Sequence, residues 1–328
     1  MTTMSAFRKV ASALLIFACI MIGSKDAMSQ NYPNRPIRLI VPFAAGGPTD
    51  VVARIIAQKL AETVGQQVVV DNRPGATTII GTELGAKAAP DGYTLLMIAA
   101  SHSIIPSLRP KLPYDVLKDF TPVTLATAAP FLMVIHPSIR ADSVAGFVAL
   151  AKAKPGEFTC GSSGIGSTAH MALELLNYLA GTRIRHVPYK GAPQGLADLL
   201  GGQISMYFGG VVGLLPHVNS GKLKGLAVST RGRSKAVPNI PTMAEAGVPG
   251  YEVSGWYGIV APAGTPRAII VRLNAEIIAQ LRTQDVQDKL AANAAEAVAS
   301  TPEEFRSYLA REIAQWGKVI KAAGIKVD

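Results

Sequence analysis

A chain of 328 residues, 49% hydrophobic and 16% charged, carries enough apolar material for more than one core, and its two cysteines exclude a disulfide framework as the source of stability. The formal charge of +10 sets up a positive field that draws small anions. Its lysines and arginines are not clustered among aromatic residues, so no nucleic-acid partner is expected.

Arg8 and Lys9 precede an apolar run from Val10 to Ile22, and small residues follow at Ala27 and Ser29. That is the layout of a secretory signal peptide covering residues 1–29 and cleaved near Ser29. The run is shorter than the ~20 residues a membrane-spanning helix needs. Cleavage removes Arg8, Lys9, Lys25 and Asp26, leaves a net charge of +8, and makes Cys160 the one remaining cysteine. The mature protein is expected to be soluble and exported.

From Ile37 onward short β-rich runs alternate with helical ones, the pattern of an α/β chain with parallel strands and crossover helices. Strands are expected at Arg38–Phe43, Gln67–Asp71 and Tyr93–Ala99. Helices at Thr49–Thr63 and Gly81–Ala89 lie between them. The Pro-rich segment from Ser101 to Pro122 reads as a long surface connection, and Phe131–His136 as the start of a second unit. That unit continues with a helix at Ser143–Lys152, a strand at Phe158–Cys160 and a helix at Thr168–Leu179. Next come a strand at Arg185–Tyr189, a helix at Pro193–Leu200, a strand at Ile204–Phe208, a helix near Leu214–Ser220 and a strand at Leu223–Ser229. The aromatic segment Tyr251–Pro262 carries the chain back to the first unit, and helices end it at Pro266–Arg282, Asp285–Ala292 and Pro302–Ala323, the last opened by a Thr301/Glu304 capping box. Residues 30–130 with 252–328 form domain 1 and residues 131–251 domain 2, and the two crossings between them make a hinge.

Glycine-rich turns recur where a strand meets a helix. Pro42-Phe43-Ala44-Ala45-Gly46-Gly47-Pro48-Thr49-Asp50 is the first, and it reads either as an anion site at a helix start or as a tight turn capped by Thr or Asp. Cys160 to His170 is the second, with hydroxyls at Ser162, Ser163, Ser167 and Thr168. Ser167 stands where a phosphate loop would need Lys, and no serine there fits Gly-x-Ser-x-Gly, so neither a nucleotide site nor a hydrolase elbow is expected. His170 is either a base for Ser167 or a residue that orients the loop. Tyr189-Lys190-Gly191 and Gly209-Gly210 open two further turns, and Ser101 follows the third strand. Lys190 either pairs with a carboxylate or points to solvent. In a parallel sheet all of these lie at the carboxyl ends of strands, where such folds bind ligands. The histidines lack ligand spacing, no cysteine pair could hold zinc, and no paired carboxylates flank the loops; neither a metal, a cofactor nor catalysis is expected.

A set of motifs spans the mature chain: Ile40-Val41-Pro42-Phe43 with the first Gly loop, Asp71-Asn72-Arg73-Pro74-Gly75-Ala76, Ala88-Ala89-Pro90-Asp91-Gly92-Tyr93, Leu112-Pro113-Tyr114-Asp115, Gly161 to His170, Val187-Pro188-Tyr189-Lys190-Gly191 and Asp198-Leu199-Leu200-Gly201-Gly202-Gln203. With these the chain resembles the substrate-binding receptors of tripartite tricarboxylate transporters, the Bug-type solute receptors. The resemblance implies a two-domain periplasmic-binding-protein fold, type II-like, that closes on a small organic acid and delivers it, as a monomer, to membrane transporter subunits. It places one carboxylate at Phe43, Ala44, Ala45, Gly46, Gly47, Thr49 and Asp50, and the remainder at Ser162, Ser163, Gly166, Ser167, Thr168 and His170. Thr77, Thr78, Ser101, Lys190, Gly191, Gly209 and Gly210 complete the expected ligand-binding set. Two departures from the family pattern fall in it. Thr77-Thr78-Ile79 replaces a Gly-Gly-Asn run, and no Asp follows Phe208, which leans against amino-acid ligands.

Overall fold

The computed structural model describes residues 32–325 except 77, 110, 190 and 294. The expected signal peptide lies outside the described residues. The first unit is β1 (Ile37–Val41), α1 (Pro48–Val64), β2 (Val68–Asn72), α2 (Ile79–Ala86) and β3 (Thr94–Ala99). β1 lies between β2 and β3 and pairs in parallel with both. Alternate residues of these strands feed two cores. Leu39, Leu95 and Met97 pack with Val52, Ile56 and Leu60 of α1, while Ile40, Leu96 and Ile98 pack on the other face.

The segment after β3 begins with a helix, α3 (Ser101–Leu108), where the sequence reads as a surface connection. Pro106 and its neighbours signal a loop, yet His102, Ser103, Ile104 and Ile105 are buried, and that packing outweighs the hydrogen bond Pro106 forfeits.

The run from Phe131 does not start a new element either. It is the far end of β4 (Phe120–Ile135), a 16-residue strand. Phe120 to Pro130 pairs antiparallel with β9 (Ser254–Pro262), with irregularities beside Pro122 and Leu125, while Phe131 to Ile135 pairs with β7 (Met206–Gly210). Pro130, which has no N–H to donate, sits where the partner changes.

The second lobe is built on α4 (Val144–Ala153), β5 (Thr159–Ser162), α5 (Thr168–Ala180), β6 (Arg185–Pro188), α6 (Ala192–Leu200), β7, α7 (Val211–Asn219) and β8 (Lys224–Val228). β5 is parallel to β6 and β7, and the sheet runs β2-β1-β3-β9-β4-β7-β5-β6 from edge to edge. α8 (Arg267–Leu281), α9 (Gln284–Ala292), the two-residue β10 (Glu296–Ala297) and α10 (Pro302–Ala323) finish the chain. Thr301 and Glu304 make the reciprocal capping box at the start of α10. α10 spans both lobes. Phe305 and Leu309 join the core around Ile40 and Trp256, whereas Trp316, Val319 and Ile320 enter the second-lobe core with Leu173 and Phe208.

Candidate functional site

The first Gly loop is tied from below. Gly46 takes a left-handed φ of 79°, Gly47 caps α1, and Pro48 opens it at a position where a missing N–H costs nothing. The carboxylate of Asp50, 2% exposed, accepts from Gly46 N–H at 2.8 Å, Arg54 Nε at 2.9 Å and Asn72 Nδ2 at 2.9 Å. Burial acts to raise its pKa, and these hydrogen bonds overcome burial and hold it below the usual carboxylate range. Asp50 thus spends its lone pairs on the loop. Asn72 also donates to Phe43 O at 3.1 Å, so β2 steadies the same turn.

A chain of buried bonds places Ser101. Ala99 N–H donates to His102 Nδ1 at 3.1 Å, which leaves Nε2–H for Thr82 Oγ1 at 2.9 Å, and Thr82 donates to Thr78 O at 2.8 Å. His102 is fully buried, and desolvation pushes it down to about 4, so its ring is neutral. Ser101 Oγ and Thr78 Oγ1 are buried with no hydrogen-bond partner among the described residues.

In the second lobe Gly166 N–H donates to His170 Nδ1 at 3.1 Å, and Ser167 Oγ accepts from His170 N–H as the cap of α5. Because His170 Nδ1 is occupied by the loop, the ring orients Gly166 and is not hydrogen-bonded to Ser167. His186 stacks on His170 with centroids 3.8 Å apart, and its Nε2 is 2.6 Å from Ser162 Oγ. Burial first, and the neighbouring His170 second, push His186 down to about 4.

Between the lobes these loops enclose a cleft of about 430 Å³. Phe43, Thr49 and Ser101 line it from the first lobe, and Ser163, Gly166, Ser167, Thr168 and Gly210 from the second. The starts of α1, α3, α5 and α7 all meet it, and a helix start carries a partial positive charge. No Arg or Lys among the described residues lines it. Ala44, Ala45, Gly46 and Gly47 form the turn beside the cleft; Asp50, Thr78, Ser162 and His170 brace the lining from behind. Gly209 packs against Leu214 and Tyr207, and Gly191 caps α6; neither lines the cleft. Thr77 and Lys190 lie outside the described residues.

The sequence reading missed the floor. Ala129, Phe131, Gly255, Trp256 and Tyr257, from β4 and β9, line the cleft together with Asn293. The only sequence signal was the aromatic run at Trp256-Tyr257, and nothing in its spacing says which face meets a ligand. Behind the floor the buried Glu312 accepts from Trp256 Nε1 at 3.2 Å and Trp316 Nε1 at 3.1 Å. Burial pushes its carboxyl above the usual range, against the pull of the two indoles. Among the described residues no group of three or more His, Cys, Asp or Glu could hold a metal, and no helix is long and apolar enough to cross a membrane.

The model of the tripartite tricarboxylate transporter family receptor matches residues 52–325. Protein BugT of Bordetella pertussis is 41% identical over 301 residues, covering 91% of this chain and 92% of that protein. A TctC solute-binding protein from Polaromonas superposes with a TM-score of 0.81 at 30% identity, over 89% of this chain and 99% of that one. An R. palustris protein solved with adipate gives 0.73 at 37% identity, over 90% and 99%. The two-lobed architecture is that of periplasmic binding proteins, and the chain is a solute receptor, not an enzyme, belonging to the tripartite tricarboxylate transporter receptor family.

Proposed function

We propose that this receptor works in the periplasm, after removal of residues 1–29, and captures a small organic carboxylate by closing its lobes on the cleft. As a monomer it then presents the ligand to the membrane subunits of a tripartite tricarboxylate transporter. The observation that carries the reading is the convergence of four helix starts, from both lobes, on one cleft that no Lys or Arg among the described residues lines. Backbone amides and hydroxyls bind an anion directionally without the desolvation cost of a buried fixed charge, which suits capture followed by release. The adipate held by the R. palustris protein supports a carboxylate as ligand. Residues 30–130 with 252–328 move as one body and residues 131–251 as the other, with the hinge at the two crossings between them.

A thermal-shift screen of organic acids on the mature protein tests this. A ligand at 100 times its dissociation constant adds ~2.7 kcal/mol of stability. Stabilisation by amino acids or sugars, and by no carboxylate, would overturn the reading. Delivery is tested in cells: deleting the gene abolishes uptake of the acid that the purified receptor binds, and unimpaired uptake would remove the transport role.

A further inference from the structure

We propose that the acid taken by this cleft is an aromatic carboxylate, its anionic end at the helix starts and its ring against Phe43, Phe131 and Tyr257. The inference rests on the carboxylate reading above and narrows it.

The cleft is lined by polar side chains and by a larger set of apolar ones. Donors sit where the Gly loops meet it, at Thr49, Ser101, Ser163, Ser167 and Thr168. The apolar lining is Ala99, Ala100, Ala129 and Ala169 with three half-buried rings and Trp256, and Asn293 adds one amide. Trp256 is 1% exposed, and its N–H is turned away to Glu312, so it offers the cleft no hydrogen bond. Such a wall rewards a flat apolar body through burial and offset or edge-on ring contacts. It penalises hydroxylated di- and tricarboxylic acids. A hydroxyl group seated against the alanines and rings, away from the Ser, Thr and Asn293 side chains, is buried without a partner, and each such group costs roughly ten-fold or more in affinity. The volume of about 430 Å³ admits a ring with its carboxylate.

Calorimetric titration of the mature receptor with benzoate, phenylacetate, malate and citrate decides the matter. The expected result is binding of benzoate or phenylacetate at least ten-fold tighter than either hydroxy acid, with Phe131→Ser and Tyr257→Ser each weakening the aryl acid by about ten-fold. Phe131→Leu, which keeps bulk in the lobe core, separates ring contact from folding; it also weakens the aryl acid while leaving the melting temperature near that of the parent. Malate or citrate binding more tightly than both aryl acids would overturn the aromatic assignment and leave the carboxylate reading standing. Equal binding of the aryl acids by the parent and all three variants would also overturn it. No binding by any of the four, with binding of an uncharged solute, would overturn both.

Discussion

Asp50 illustrates how a residue at a candidate site serves it without touching a ligand. Its carboxylate is the common acceptor for Gly46, Arg54 and Asn72, and so fixes the turn that carries Phe43 and Thr49. Asp50→Ala strips three donors of their acceptor, and a loss of about 1–3 kcal/mol in urea unfolding is expected, with weaker ligand binding. An unaltered unfolding midpoint would show that the turn holds without it. His102 gives a pH dependence. In the unfolded chain it protonates near 6.5, in the folded chain near 4, so between those values the unfolded state binds more protons. Stability contributed by keeping the ring neutral is full above pH 6.5 and is lost as pH falls toward 4, by roughly 3 kcal/mol. Melting curves from pH 7.5 to 4 should show this loss, and His102→Gln should reduce it. The residue types of the two Gly loops were legible in sequence, because glycine, proline and hydroxyl residues at a strand-to-helix junction have a local meaning. That Asp50 points back to Gly46, and that His170 holds Gly166, was not legible, since both depend on side-chain directions fixed by packing.

At the scale of elements, periodicity located most strands and helices but misjudged two junctions. α3 was hidden by Pro106 because its burial comes from tertiary packing, as where Ile104 joins the second-lobe core, not from a repeat within eight residues. β4 was cut short because Pro122 and Pro130 look like ends of strands, whereas one stands at a bulge and the other where β9 hands over to β7. β9 and α10 meet at Gly258, where an added Cβ would overlap the Phe305 ring. Both residues are buried. Gly258→Ala should destabilise by about 1–3 kcal/mol, measured by denaturant unfolding, because the ring must leave its place. A neutral result would mean that Phe305 has room the packing does not show.

For the whole molecule, α10 matters most after the two long strands, since it roots in both lobes. A chain ending at Gln315 loses Trp316, Val319 and Ile320, which are 1%, 1% and 5% exposed. Large-to-small changes at such sites cost about 2–5 kcal/mol each, and their sum rivals the 5–15 kcal/mol that holds a typical domain together. This truncation should abolish cooperative unfolding of the second lobe, read from near-ultraviolet circular dichroism. Retention of a single sharp transition would place that helical end outside the core. Closure has its own signature: in small-angle scattering the radius of gyration should fall when a stabilising acid is added, and no change at saturation would argue for a rigid cleft.

The amino-acid sequence by itself determined the α/β class, the order of nearly all elements, the recurrence of Gly-rich turns at strand ends, and the receptor family. These are local or cumulative properties: hydrophobic period, turn chemistry and motif order are written along the chain. The cleft was decided only by the tertiary structure. Phe43, Phe131 and Tyr257 are far apart in sequence and line one cleft because β3 joins β1 to β9, and β9 pairs with β4, within one sheet. Which of two faces of a strand meets a ligand depends on what packs against the other, and Trp256 turns its N–H away from the cleft because Glu312, 56 residues later, waits behind it. The sequence named the loops at the rim; the crossing strands supplied the floor between them.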